Sequence, residues 1–559
     1  MHAFSLRIPT LLAALLFAVQ LMGAVALAQS EAAPRPPFSA FQAPGAASTP
    51  AVRRLSIDEA VTLALEQNLG IRIQRIEPQI QDVGIAQAKS FFAPNLSTSF
   101  SRNGQSQRST SVLLGSTVDN GTFSSGLGVN QILPFGASYS ANWDSARFVT
   151  TNPFNNFSPQ LQSTVALNFT QELARNFKID QIRQQVALSV KSRELSDIQL
   201  HNVIVQTTRG VKNAYWDLTY AINNLAAQRQ LLELSQRSLR DNQRRVEVGT
   251  MASIDIIQAQ AEVAVNEQNV IVADAAIASA QDRLRALIFD PDMQNFWTTS
   301  VEPTDAAPFQ AQAIDVDTAV RNALDKRGDL AQARKSMEQS DINIRYFRYQ
   351  ILPEVSASVR YITSGVGGTQ LSPVDFSLIS TGGPIPTRSI VADRGFGTVL
   401  GDVFQSSFPN WTIGVNIGYP IGSSVSQANL ARAKLQYQQA QTQLKSLELQ
   451  IATQVREVGR QVMTNQQRVR SARASRELQE KKLEAEEKKQ AVGLATSFFV
   501  FQAQRDLAQA RTLEILAIAD YNKSLVDFEA VQEVSLGGGG GGITTAGSGA
   551  LSTGGIVRQ

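Results

Sequence analysis

Ile204, Val211, Leu218, Leu225, Leu232, Leu239 and Val246 recur at every seventh position, with Gln, Arg, Glu, Asp and Ser filling much of the sequence between them. A stripe of that period predicts a helix over 181–248 that packs along its whole length with left-handed supercoiling. At about 1.5 Å per residue it is roughly 100 Å long, far beyond the core of an ordinary globular domain. A weaker stripe, Val455, Val462, Val469 and Leu483, predicts a second rod over 424–492. Subtracting 244 sets Val455 on Val211, Val462 on Leu218 and Gly493 on Gly249.

The duplication extends beyond the rods. Adding 259 carries Asp58, Ala60, Val61, Ala64, Leu65, Asp82, Ile85 and Pro94 onto Asp317, Ala319, Val320, Ala323, Leu324, Asp341, Ile344 and Pro353 without a gap, which marks an internal repeat. The first repeat, 53–300, is predicted to begin with a half-length helix on the capping box of Ser56 and Glu59 and to end that helix before Pro94. Strands follow at 94–104 and 161–171, with an extra hairpin over 122–148 that turns at Leu133-Pro-Phe-Gly136; the rod 181–248 and a helix over 252–290 complete the repeat. The second repeat, 301–536, has a helix over 316–352, strands at 353–362 and 411–420, the rod 424–492 and a helix over 496–534. Its Gly- and Ser-rich stretch from Gly365 to Pro409 reads as a long loop.

In the strands the period is two. Val355, Ala357, Val359 and Tyr361 alternate with Ser356, Ser358 and Arg360, while Ile413, Val415, Ile417 and Tyr419 alternate with Thr412, Gly414, Asn416 and Gly418. Each is about the ten residues that a tilted strand needs to cross a bilayer. Four such strands cannot close a barrel with a usable lumen, so several copies must share one, and three copies would give about twelve strands and twelve helical columns. The extra hairpin either adds strands to that barrel or heightens its outer rim.

Composition narrows the remaining choices. The first 28 residues carry one charge, Arg7, an apolar run and the small-x-small ending Ala26-Leu27-Ala28, read as a signal peptide, 1–28. Removing Arg7 from the formal charge of +3 leaves +2, too near neutral to point to a nucleic acid. Residues 29–52 form a Pro- and Ala-rich leader and 537–559 a Gly-rich flexible tail without a G-K-[ST] phosphate loop. The chain has no cysteine, and beyond the signal peptide no apolar run long enough for a membrane-spanning helix. His201 is the only histidine outside the signal peptide, and no nucleophile-base or metal-ligand constellation accompanies it; no catalytic role, metal or cofactor is expected.

The duplicated helix start S-I-D-E-A-V, the helix ends F-F-A-P-N-L-S and I-L-P-E-V-S, the run V-K-N-A-Y-W-D-L at Val211 to Leu218, and the V-G-T and V-G-L turns together resemble the TolC-like outer membrane efflux family over residues 53 to 534. The resemblance implies a mainly α fold with a β-barrel portion: a homotrimer whose α-barrel projects through the periplasm from a shared transmembrane antiparallel barrel in the outer membrane of a Gram-negative cell. It implies service as the exit duct for an inner-membrane RND or ABC-type transporter, joined through a periplasmic adaptor. The turns Val248-Gly249-Thr250 and Val492-Gly493-Leu494 would meet the adaptor. Their glycines also suit helix C-caps, and Thr250 or Ser253 can cap the following helix.

Asp255 resembles the family's aspartate at the periplasmic constriction; equally, it is a carboxylate favoured by a helix N-terminus. Phe499 and Gln502 stand where some members of the family carry aspartates, so an acidic ring is replaced here by an apolar one, Phe498 or Phe499 in three copies, closing by contact and dewetting. A different class of function, an exported coiled-coil scaffold anchored to the envelope, would make the strand segments mere linkers. Their matched alternation argues against it.

Overall fold

The computed structural model describes residues 52–108, 117–152, 154–293, 295–305, 309–374, 388–422, 424–492 and 494–533. The expected signal peptide, the leader up to residue 51, Gly493 and the tail 537–559 lie outside the described residues. All the described residues fall in one contact unit, Val52–Gln559.

Strand β1 (Val52–Leu55) pairs in parallel with β6 (Ser300–Pro303) and ties together the ends of the first repeat. Helix α1 (Ile57–Gln67) begins on the Ser56 hydroxyl, which accepts the Glu59 N–H, while the Glu59 carboxylate accepts the Ser56 N–H. Two helix-end donors are thereby satisfied. The half-length helix is not continuous. Asn68 takes an extended conformation, its side chain caps the Ile71 N–H, and a new helix, α2 (Leu69–Ser90), begins. The second repeat breaks at Arg327, between α5 (Val316–Lys326) and α6 (Gly328–Gln350). The shift of 259 that aligns the repeats carries Asn68 onto Arg327, so the break itself is duplicated.

The rods are α3 (Gln181–Glu247) and α8 (Val425–Ala491), each 67 residues, and their returning partners are α4 (Ile254–Ile288) and α9 (Ser497–Gln532). α3 packs against α2 and α4, and also against α6 and α9; α8 packs against α6 and α9. The half-length helices stack on the returning ones: Asn68 Nδ2 donates to the Leu287 carbonyl, Arg72 meets Asp290 at 2.7 Å, and the Gly328 N–H donates to Glu533. Four columns result, in the order α2 over α4, α3, α6 over α9, and α8. One core gathers Val211, Tyr215, Leu218, Leu284 and Ile288; the other gathers Ile451, Val455, Val462, Tyr521 and Phe528.

The sevenfold stripe of α3 is not buried evenly. Val211, Leu218 and Leu225 are buried, but toward the tip burial moves to Leu231, Ser235 and Asn242, leaving Leu232, Leu239 and Val246 half-buried. A straight helix drifts about 20° per heptad, which turns a strict stripe away from one neighbour and toward the next. On α8 all four aliphatic positions are buried, and the missing step of the stripe is Arg476, paired with Glu480 at 2.9 Å and Glu514 at 2.5 Å.

Beyond the helices lies one antiparallel sheet. Its strands are β2 (Asn95–Arg108), β3 (Thr117–Ile132), β4 (Ala137–Thr150), β5 (Phe157–Glu172), β7 (Glu354–Leu371) and β9 (Pro409–Gly418), neighbours in that order. In the first repeat β2 and β5 do not touch; the extra hairpin, β3 and β4, stands between them and is longer than the 122–148 its alternation suggested. The expected strand 353–362 runs on to Leu371. The stretch from Gly365 is not simply a loop: it holds β8 (Ile390–Arg394), paired to the upper part of β7, and α7 (Phe396–Phe404). Val399 and Val403 of α7 are buried against the sheet, where Gly365 and Gly367 make room; a Cβ on Gly365 would lie 2.3 Å from the Val399 carbonyl oxygen.

Candidate functional site: helix tips and open edges

At the tip of the first repeat α3 ends in a Schellman closure. Gly249 has φ +75°, its N–H reaches the Val246 carbonyl, and the Thr250 N–H returns to Arg245. Glycine pays no steric penalty in that left-handed conformation, and the last carbonyls of the helix gain donors. In the second repeat the Leu494 N–H returns to Lys489 in the same way. Val248, Val492 and Leu494 are 75%, 70% and 79% exposed, large apolar side chains held in water by these turns. Neither expected cap forms: the Thr250 hydroxyl donates back to Arg245, and Ser253 is in the α region with no side-chain cap bond.

Asp255 lies in the first turn of α4 and accepts a 3.0 Å hydrogen bond from the Ser497 hydroxyl, at the start of α9. The two returning helices therefore meet at their N-termini. Phe498 and Phe499 stack edge to face, ring centroids 5.7 Å apart, and remain 47% and 55% exposed. Gln502 does not join Asp255; its amide donates to Asp506, one turn on, which pairs with Lys482 of α8 at 2.8 Å. Lys482 holds the Asp506 carboxyl below its ordinary range. Sequence reasoning missed Ser497, Asp506 and Lys482, because the contacts Ser497–Asp255 and Lys482–Asp506 join different helices. The i, i+4 step from Gln502 to Asp506 was the only local signal.

His201 lies far from these tips, where α6 stacks on α9. Its Nε2 is 3.1 Å from Glu533, and that hydrogen bond raises the imidazole pKa. Tyr215 is buried; its hydroxyl accepts the Asp305 N–H, and burial pushes its pKa up to about 12. A cavity of about 400 Å³ is lined by Trp216, Tyr220, Ile518 and the Glu302–Asp305 connector. Among the described residues no cluster of His, Cys, Asp and Glu could hold a metal ion.

The outer edges carry the other conspicuous feature. Both faces of β2 are exposed, with Phe100 at 74%, and β9 leaves Trp411, Ile413, Val415 and Ile417 open. The helical layer repeats this at its own edges. Ile73, Ile76, Ile80 and Val83 form an exposed seam on α2, and Val425, Leu435, Leu449 and Leu478 stand open on α8. Together they far exceed the scattered apolar surface normal on a monomer.

Comparison with known proteins gives this geometry its context. The outer membrane efflux protein family matches residues 60–288 and 319–531, one segment in each repeat. Similar solved structures include the Campylobacter jejuni CmeC outer membrane channel, at 15% identity over 85% of each chain with a TM-score of 0.58. The Vibrio cholerae outer membrane protein VceC is 16% identical over 85% of this chain and 95% of its own, TM-score 0.58. The open state of the Neisseria gonorrhoeae MtrE channel is 16% identical over 90% and 97%, TM-score 0.56. At such identities the likeness speaks for the fold. No curated protein sequence matches the chain. With both repeats matched by one family and the same fold in its solved channels, this chain belongs to the outer membrane efflux protein family, non-enzymatic outer-membrane channels of Gram-negative efflux and secretion systems.

Proposed function

We propose that three copies of the chain form the exit duct of a tripartite efflux or type I secretion system, passively conducting cargo outward when a periplasmic adaptor and an inner-membrane RND or ABC-type transporter engage it. The observation that carries this reading is the pair of open edges. A layer of four helical columns and a sheet, each apolar and unpartnered at both ends, is satisfied when a neighbour's α2 edge meets α8 and its β2 meets β9. Outer-membrane lipid then covers the apolar face of the sheet.

In this reading Val248, Gly249 and Thr250, with Val492, Gly493 and Leu494, form the surface that the adaptor grips. Asp255, Phe498, Phe499 and Gln502 surround the periplasmic constriction, where Phe498 or Phe499, in three copies, closes the bore and excludes water. The Asp255–Ser497 bond supports a closed state by tying the two returning helices of one chain together. Detergent extraction from the outer membrane should yield a heat-resistant trimer; release by salt as a monomer would support a peripheral scaffold instead. Phe499→Ala should raise the single-channel conductance of the purified trimer, and an unchanged conductance would remove the phenylalanines from the gate.

A further inference from the structure

We infer that the β3–β4 hairpin is part of the membrane wall, so that the trimer closes a barrel of eighteen strands, six from each chain. The inference rests on the three-copy reading above and adds to it the placement of the hairpin.

The register places the hairpin in the wall. One row of same-face neighbours crosses all six strands: Leu96, Val129, Ala141, Leu167, Tyr361 and Trp411. The next row outward is Thr98, Leu127, Trp143, Val165 and Thr363. Through these two rows the apolar side chains of β5, β7 and β9 continue into both hairpin strands; the row below, Ile413, Val359, Phe169 and Tyr139, continues into β4 and ends on β3 at Gln131. The opposite face is mainly small and polar in the same register, with Ser97, Gly128, Asn142, Ala166 and Ile362 in one row and Ser99, Gly126, Asp144, Thr164 and Ser364 in another. Gly126 and Gly128 let the longer side chains lie flat there: a Cβ on Gly128 would sit 2.6 Å from Asn142 Oδ1, and one on Gly126 2.8 Å from Asp144 Oδ1. A rim above the bilayer, wet on both sides, has no need of a one-sided apolar band.

Closure is also permitted. Each strand is antiparallel to the next, so β2 and β9, first and sixth across the sheet, run in opposite directions, and β9 of one copy can pair antiparallel with β2 of another. Strands about 4.8 Å apart and tilted about 40° each take roughly 6 Å of circumference, so eighteen need about 110 Å. Twelve helical columns spaced about 9 Å apart need nearly the same length. Barrel diameter grows with strand number, so the lumen has about twice the cross-section of a twelve-stranded one. The outer end is then no narrower than the helical bore, and passage is limited at the tips.

Two native tryptophans supply the test. Trp411, on β9, belongs to the wall whatever the hairpin does, and Trp143 lies one row away on β4. Proteins keeping Trp143 alone (W216F, W297F, W411F) and Trp411 alone (W143F, W216F, W297F) would be reconstituted as trimers in phosphatidylcholine vesicles with brominated acyl chains. The expected result is a fractional loss of emission from Trp143 about equal to that from Trp411. Quenching of Trp411 without Trp143 would overturn the inference and leave the hairpin as a rim, with the duct intact. Quenching of neither would overturn the membrane-barrel reading beneath it as well.

Discussion

The two repeats share an ancestor in sequence and differ most where their neighbours differ. In the first, the rod carries a perfect sevenfold stripe, yet its tip half leaves Leu232, Leu239 and Val246 half-buried; in the second, Arg476 interrupts the stripe and every aliphatic member is buried. The central rod has a column on each side, so its apolar positions are shared between two seams. The outer rod spends its stripe on α6 and α9 and leaves Leu435, Leu449 and Leu478 exposed. A period of seven therefore says that a helix packs lengthwise, and says nothing of which neighbour it meets.

The comparison can be broken most forcefully in the cores. Leu218→Ala should cost about 3 kcal/mol, the usual result of emptying a fully buried leucine site, whereas Leu232→Ala should cost about 1 kcal/mol. Equal shifts in the denaturant midpoint of the detergent-solubilised protein would mean that the stripe is buried uniformly.

The stacking junctions sharpen the contrast at smaller scale. In the first repeat Asn68 caps α2 and donates to Leu287; Asn68→Ala should cost about 1 kcal/mol through the lost cap. At the matching position Arg327 makes no cap bond and its side chain meets Asp329 and Gln454, so Arg327→Ala should move the midpoint less.

Both junctions hold an ion pair, but the Arg72–Asp290 pair of the first is built on a carboxyl held below its ordinary range, whereas the pair of the second is built on a histidine. Because the Glu533 carboxylate raises the folded pKa of His201, the stability it contributes is fully present below the ordinary imidazole value of 6.5 and is lost as pH rises through the raised one. Amide exchange at the start of α6, corrected for intrinsic rate, should therefore speed up as pH rises through the window above 6.5, and His201→Gln should abolish that change. The Asn68 junction should not respond.

The smallest effect concerns the lattice between α3 and α6, where Lys191 and Lys335 each contact both Glu194 and Glu338. The lysines hold both carboxyls below their ordinary range, yet the group is partly exposed. Lys335→Ala should cost under about 1 kcal/mol, and less at high salt.

These contrasts explain what the sequence could reveal. The rods and the two-faced strands were legible because periods of seven and two are local properties of a chain, and the left-handed glycine at 249 was legible because few other residues adopt φ +75°. The breaks at Asn68 and Arg327 were not, since neither interrupts the apolar spacing and both depend on the end of a returning helix more than 200 residues away. Within the stretch from Gly365, α7 was hidden because Gly365 and Gly367 look like loop residues until Val399 is seen above them. Of the tips, the turn chemistry could be read from single residues. The bonds from Ser497 to Asp255 and from Lys482 to Asp506 arise only in the folded layer.

The central claim is that the edges one chain leaves open are closed by further copies, and the absence of cysteine makes it directly measurable. Ser99→Cys on β2 would be combined in turn with Thr412→Cys, Gly414→Cys or Asn416→Cys on β9, all on the polar face, and the protein oxidised in outer membranes. At least one combination should give a covalent ladder that ends at three copies. Chains that stay monomeric in every combination, or a ladder ending at another number, would contradict the account.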